Sequence, residues 1–335
     1  MRHLLFIQLA RSRPEYFNDP DHGRPESMLI ALHRWGGLGN RLQLAAYAAA
    51  VALERGTTVV LLCLDGYADL FVGTSADAVC RLPAPTTTAA VVGVGDRLAR
   101  LGYAIGARLP GRLARLSCAV GAQLPGVRKL CARRYPGLMI EAPDVLANID
   151  PRETLLLDGY YFYAPTLLAR HAATIRAYFQ LVSARAATVA GFLSTSRQRA
   201  ARTLVGVHIR HGDYATYRGG EHFFSLEQYV QVMHRTRDLF GPHGVHFVVC
   251  SDAPQPAHAF AELSWEPGPG SMIEDMYVLA GCDYIIGPVS SFNRWAAFMG
   301  EVPRHEIHDP GRLLTLDDFI EWDLTCPEPA ATARD

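Results

Sequence analysis

The chain has 335 residues, a length that suggests two domains. Hydrophobic residues make up 49% and charged residues 19%, which supplies apolar side chains for buried cores and excludes a disordered chain. The formal net charge of -1 exerts no overall pull on nucleic acid, and Lys129 is the only lysine, so nearly all positive charge is arginine.

Residues 1–27 read as an extension. Within it, "MRHLLFIQLARSRPEYF" has a short apolar run followed by arginines, with no small-residue cleavage site, so it does not read as a signal peptide. No stretch reaches the roughly 20 apolar residues of a membrane span, and the expectation is a cytoplasmic protein. "SMLIALHRW" (27–35) reads as a short buried strand and "TTVVLLCL" (57–64) as a second, with residues 40–55 at helix length between them. That β-α-β unit favours a parallel sheet. The next region, about 85–140, spaces arginines among leucines and reads as short amphipathic helices. They form either a peripheral layer or, around 95–135, a basic face for an anionic acceptor or a membrane surface. Strands are expected again at "RTLVGVHIR" (202–210), "GVHFVVCSD" (244–252) and "CDYIIGPVSS" (282–291). Helices are expected at "SLEQYVQVMHRTRDLF" (225–240) and "SMIEDMYVLAG" (271–281), each with a Ser N-cap and the first with a Ser-x-Glu start. "CPEPAATARD" reads as a loose tail.

The cysteines, Cys63, Cys80, Cys118, Cys131, Cys250, Cys282 and Cys326, contain no CxxC pair and mostly sit in apolar runs, so reduced buried thiols are expected. His208, His211, His222, His243 and His246 form neither HExxH nor a facial triad, and no metal is assigned.

Open α/β sheets bind ligands at the carboxyl ends of their strands, and here those ends carry glycine and polar residues. After the first strand comes Gly36-Gly37-Leu38-Gly39-Asn40, which either brings backbone N–H groups close to an anion or simply makes a tight turn. Alternation puts His208 and Arg210 on one face of their strand and His211 on the other. Arg210 offers a planar bidentate contact to a phosphate; the competing reading is a surface pair with Asp213. Asp252 ends the next strand, and Ser290 and Ser291 open "FNRWAAFMG", where they serve as helix caps or phosphate ligands.

Taken in order, GGLGN, HIRHGDY (208–214), CSD and SSFNRWAA, with "LLLDGYYFYAPTLLARHAATIRAYF" (155–179), resemble the α-1,2-fucosyltransferases and their wider superfamily of α-1,6- and protein O-fucosyltransferases. The resemblance runs from about residue 28 to 300. It implies a GT-B fold, two Rossmann-like domains facing a central cleft: an acceptor-side domain at 28–200 and a nucleotide-sugar-binding domain at 201–325, with 1–27 and 326–335 outside them. It implies inverting, metal-independent transfer of fucose from GDP-fucose to a glycan hydroxyl, with an α-1,2 linkage. The partners so implied are a nucleotide sugar and a glycan acceptor, with GDP-fucose as donor substrate rather than cofactor. Arg210 matches the arginine that neutralises the donor diphosphate, and Ser290 and Ser291 match the phosphate-side hydroxyls. His208 and Asp252 fall where the family lines its guanosine pocket, and Gly36, Gly37 and Asn40 match the loop facing the cleft. The chain departs from the pattern at Arg41-Leu42-Gln43-Leu44, at His211 for a second arginine, at Ala253 for a second acid and at Arg294 for a tryptophan.

With no DxD-type pair at a strand end, arginine and helix N-termini must stabilise the departing diphosphate. Inversion needs one base beside the acceptor hydroxyl, for which Asp213 and Glu221 are the candidates. Asp213 serves alternatively to orient Arg210, and Glu221 as a solvated loop residue. Two rival functions stand beside this one: a related transferase using another nucleotide sugar, and a nucleotide- or glycan-binding homologue without turnover.

Overall fold

The computed structural model describes residues 28–32, 36–75, 77, 80–83, 126–134, 137–150, 153–199, 203–241 and 244–322. Its first half opens with β1 (Met28–Ala31), α1 (Leu38–Glu54) and β2 (Thr58–Val60), the expected β-α-β unit. Then come α2 (Val72–Ser75), β3 (Arg81–Leu82), β4 (Val127–Ala132), β5 (Leu138–Met139), α3 (Pro143–Ala147), β6 (Thr154–Gly159), β7 (Phe162–Tyr163) and α4 (Pro165–Tyr178). These make a five-stranded sheet of order β3-β2-β1-β6-β4, parallel except where β3 runs against β2.

The second half comprises α5 (Ser183–Arg199), β8 (Thr203–Ile209), α6 (Leu226–Phe240), β9 (Val245–Ser251), β10 (Trp265–Pro267), α7 (Met272–Ala280), β11 (Tyr284–Pro288), α8 (Ser291–Gly300) and β12 (Arg304–Ile307). Its sheet is wholly parallel, of order β10-β9-β8-β11-β12. In chain order within the sheet that is 3-2-1-4-5, the doubly wound arrangement with a reversal between its first and fourth strands. Helix α5 is packed on this second sheet's layer, where Arg197 forks onto Asp283 through two bonds of 3.0 Å.

Four local expectations are corrected. The apolar run 57–64 is not one strand: it leaves β2 after Val60 and closes into a 3-10 turn at Leu62–Leu64, where Cys63 lies against the Arg41 carbonyl of α1. In the region read as amphipathic helices, residues 127–132 form β4 instead, because pairing with β6 satisfies their backbone; 84–125 lie outside the described residues. Ser271 precedes α7 without capping it, since its hydroxyl bonds Glu274. The expected Ser225 cap of α6 is present, and Gln228 completes a capping box with it. Cys63, Cys80, Cys250 and Cys282 are reduced and buried as expected, whereas Cys131, on edge strand β4, is exposed.

Burial follows the alternation of β8. Val205, Val207 and Ile209 face α6 with Tyr229, Val232 and Met233, while Leu204 turns to the opposite layer. That layer is one apolar cluster shared by both halves, with Ala45 to Val51 of α1 joined to Tyr277 of α7 and to Trp295 and Phe298 of α8. Alanines let α1 be enclosed on nearly every side, since a helix apolar all round has to be buried.

Candidate active site

Where a doubly wound sheet reverses its winding, the loops leaving the two strands diverge to open a crevice. In the second sheet the place is between β8 and β11, leading into Arg210 and into Ser290. In the first sheet the neighbours β1 and β6 lead from their carboxyl ends into Gly36-Gly37 and into Tyr160. The two crevices face one another. A Cβ on Gly39, in the first turn of α1, would lie 2.8 Å from the backbone carbon and hydroxyl of Ser291, at the start of α8. Two helix N-termini therefore meet, and only a glycine lets them come so close.

Gly36 takes φ +90°, and its carbonyl accepts a bond of 3.2 Å from Arg41 Nε. Gly37 is the N-cap residue of α1 and provides no side-chain cap, which leaves first-turn N–H groups for a ligand. Asn40 Oδ1 accepts the Tyr160 hydroxyl at 3.1 Å. Opposite, Ser290 caps α8, its Oγ accepting from Phe292 N at 3.3 Å.

Arg210 lies between two carboxylates: Nη2 is 2.7 Å from Asp213 and Nη1 is 3.0 Å from Asp252. The surface pair foreseen as an alternative thus exists, and a third residue joins it. Asp252 also accepts the backbone N–H of His211 (2.8 Å) and of Gly212 (3.0 Å), so it shapes the loop as well as the guanidinium. Arg210 lies 5.4 Å from the Tyr214 ring centroid, and the Tyr214 hydroxyl donates to Val289 O at 2.9 Å, tying the ends of β8 and β11 together. The Arg210 side chain remains 34% exposed, open to the crevice.

His208 is buried, its ring stacked on Phe292 with centroids 4.7 Å apart. Burial foremost, then the charge of Arg210, pushes its pKa down to about 3 against the pull of Asp252, so it is neutral at physiological pH. Its Nδ1 is buried with no hydrogen-bond partner among the described residues. His211 points to the other face as expected: Nε2 donates to Phe224 O (3.0 Å) and Nδ1 accepts from Gln255 Nε2 (3.2 Å). Glu221 is exposed and makes no hydrogen bond or ion pair with another described residue, and in particular none with Arg210.

Among solved structures, the chain resembles a mutant of FUT1 from Arabidopsis thaliana in complex with GDP, at a TM-score of 0.53 and 13% identity, over 87% of this chain and 73% of that one. The fold is GT-B. The fucosyltransferase NodZ from Bradyrhizobium aligns at a TM-score of 0.48 and 18% identity over 86% of this chain and 98% of that one. POFUT1 in complex with GDP-fucose aligns at 0.46 and 13% over 84% and 96%. No protein-family model matches the chain, and no curated protein does.

The GT-B arrangement brings Gly36, Gly37, Asn40, Ser290, Ser291, Arg210, Asp213 and Asp252 to the facing crevices, with His208 buried beneath. Tyr160 and Tyr217 belong beside them and were not singled out from the sequence; the tyrosine run after residues 155–158 was the available signal for the first. Arg294 forks onto Glu306 at 2.6 and 2.9 Å; burial foremost raises the pKa of Tyr160, against a pull from the charge of Arg294. Among the described residues no group of three or more His, Cys, Asp or Glu is placed to hold a metal ion, and no helix is long and apolar enough to cross a membrane.

Proposed function

We propose that this chain is an inverting glycosyltransferase moving fucose from GDP-fucose to a glycan hydroxyl, with an α-1,2 linkage and without a metal ion. The observation that carries the reading is the meeting of the α1 and α8 N-termini beside Arg210. Each helix start acts as about half a positive charge. Arg210 with Asp213 and Asp252 amounts to one excess negative charge, and two helix starts offset it to about neutral before a diphosphate enters. Asp252 is committed to the loop backbone, whereas Asp213 is 62% exposed and swings aside at little cost, so the diphosphate takes its place on Nη2. Growing charge on the leaving GDP then strengthens the contact that Nη2 makes with it. Glu221, with no described partner occupying its carboxylate, is the better placed of the two candidate bases to accept the acceptor's proton.

The likeness to a GDP-bound relative supports the fold on which this reading rests. Binding without turnover is a second reading, favoured by the double pairing of Arg210. Thermal-shift titration with GDP and with UDP, each in EDTA, separates the possibilities. GDP alone should raise Tm, by an amount that grows as the logarithm of its concentration. Equal shifts from both nucleotides would remove the GDP assignment, and GDP release from GDP-fucose on acceptor addition separates an enzyme from a binding protein.

A further inference from the structure

The loop between β8 and α6 carries a feature that donor binding leaves unused. The rings of Tyr214 and Tyr217 are stacked, with centroids 5.6 Å apart and planes at 21°. Tyr214 is pinned by its bond to Val289 O, so the pair is anchored to the floor of the crevice. Tyr217 is 43% exposed, and the guanidinium of the exposed Arg218 lies over its ring, 5.6 Å from the centroid. Immediately after it the chain turns through three left-handed residues, Arg218 (φ +49°), Gly219 (φ +71°) and Gly220 (φ +82°). Such a conformation at a residue with a side chain is retained where the surroundings impose it, typically at ligand-binding loops. From the first sheet Tyr160, packed edge-on against Tyr161 at 4.9 Å, bonds Asn40 at the other crevice.

We infer that Tyr217, backed by Tyr214, is the platform of an acceptor subsite that takes a neutral sugar ring. The inference rests on the reading of this crevice as a sugar-transfer site. A pyranose has an apolar C–H face rimmed by hydroxyls, and a tyrosine matches it with an apolar ring and one polar tip. Tyrosine also supplies contact area with only two rotatable angles to fix, so little entropy is lost on binding. A sugar seated on Tyr217 displaces the exposed Arg218 side chain from the ring and lies on the same loop as Arg210, where the donor reacts, and as Glu221, which takes the proton. Exposed aromatic surface at a crevice mouth, rather than scattered over the surface, is the mark of such a site.

The test uses the whole chain as wild type, Tyr217→Ala and Tyr217→Phe, each checked for an unchanged Tm. Binding is read on an array of neutral and acidic oligosaccharides, with the GDP Kd measured in parallel by calorimetry. Tyr217→Ala should weaken binding to neutral glycans about tenfold, the order expected for one lost aromatic contact. Its GDP Kd should stay within twofold, and Tyr217→Phe should keep most of the glycan affinity. Three results would each overturn the inference: a parallel loss of GDP affinity, which would make the ring part of the nucleotide site; glycan binding by Tyr217→Ala equal to wild type; or no glycan bound by wild type. Tyr217-dependent glycan binding by a protein that ignores GDP would instead keep the subsite and remove the donor assignment.

Discussion

Arg210 is held at both nitrogens by carboxylates from two loops, which gives it a fixed direction in the absence of ligand. A guanidinium preset against a departing diphosphate should matter more to the transition state than to binding. Arg210→Ala is therefore expected to lower turnover of GDP-fucose by about 10²–10³, with Arg210→Lys rescuing little because it loses the fork. Initial rates of GDP release on folded variants decide it; an alanine variant retaining more than about a tenth of wild-type activity would end the clamp assignment. The same assay separates the two candidate bases. Glu221→Gln should cost on the order of 10²–10⁴, and Asp213→Asn much less. The reverse order would make Asp213 the base and Glu221 the solvated loop residue.

At the scale of elements, the contact between two helix starts depends on one missing side chain. Gly39→Ala puts a methyl 2.8 Å from the Ser291 backbone, and that backbone has no flexible end to move away. Overpacking of this kind costs roughly 1–3 kcal/mol, and here the displaced parts are the N–H groups assigned to the diphosphate. The expected result is a lower Tm together with a weaker GDP Kd; a stability loss with unchanged GDP affinity would separate the contact from the site. Helix α7 carries a pH-sensitive group in its first turn. Asp275 accepts Gly270 N at 2.9 Å, and burial foremost, then Glu274, raises its pKa from 3.8 to about 6 against the pull of that bond. Between those values the folded state holds a proton that the unfolded chain has released, so this group's contribution to stability falls as pH rises from about 4 to 6. Asp275→Asn keeps an acceptor for Gly270 and removes the titration. Its Tm relative to wild type should climb between about pH 4 and 6 and then level off; a constant gap would show that Asp275 does not titrate there.

Across the whole molecule, the two sheets share one apolar cluster rather than meeting at a polar seam. Arg176 of α4 adds a staple: its guanidinium lies between the rings of Phe298 (4.8 Å) and Trp322 (4.6 Å), donates to Phe298 O at 2.7 Å and pairs with Glu301 at 2.9 Å. Halves joined in this way should unfold together. Calorimetry is expected to give one transition that GDP moves as a whole. Two resolved transitions, with only the later one shifted by GDP, would mean that each half keeps its own core.

What the sequence by itself determined was local and periodic. Alternation along 203–209 assigned His208 and Arg210 to one face and His211 to the other, and helix starts at Ser225 and Ser290 were legible because a cap bonds its own first turn. The Arg210–Asp213 pair, three residues apart, was legible for the same reason. Tertiary structure alone decided that Asp252, 41 residues from His211, closes the loop around Arg210. It also decided that β6 lies beside β1 and so brings Tyr160 to Asn40, and that Gly39 is required by Ser291. Caps, turns and side-chain periods are set by bonds within a few residues. Strand order and cross-sheet contacts are instead chosen by burying one shared core, whose partners lie too far apart in the chain for any local pattern to join them.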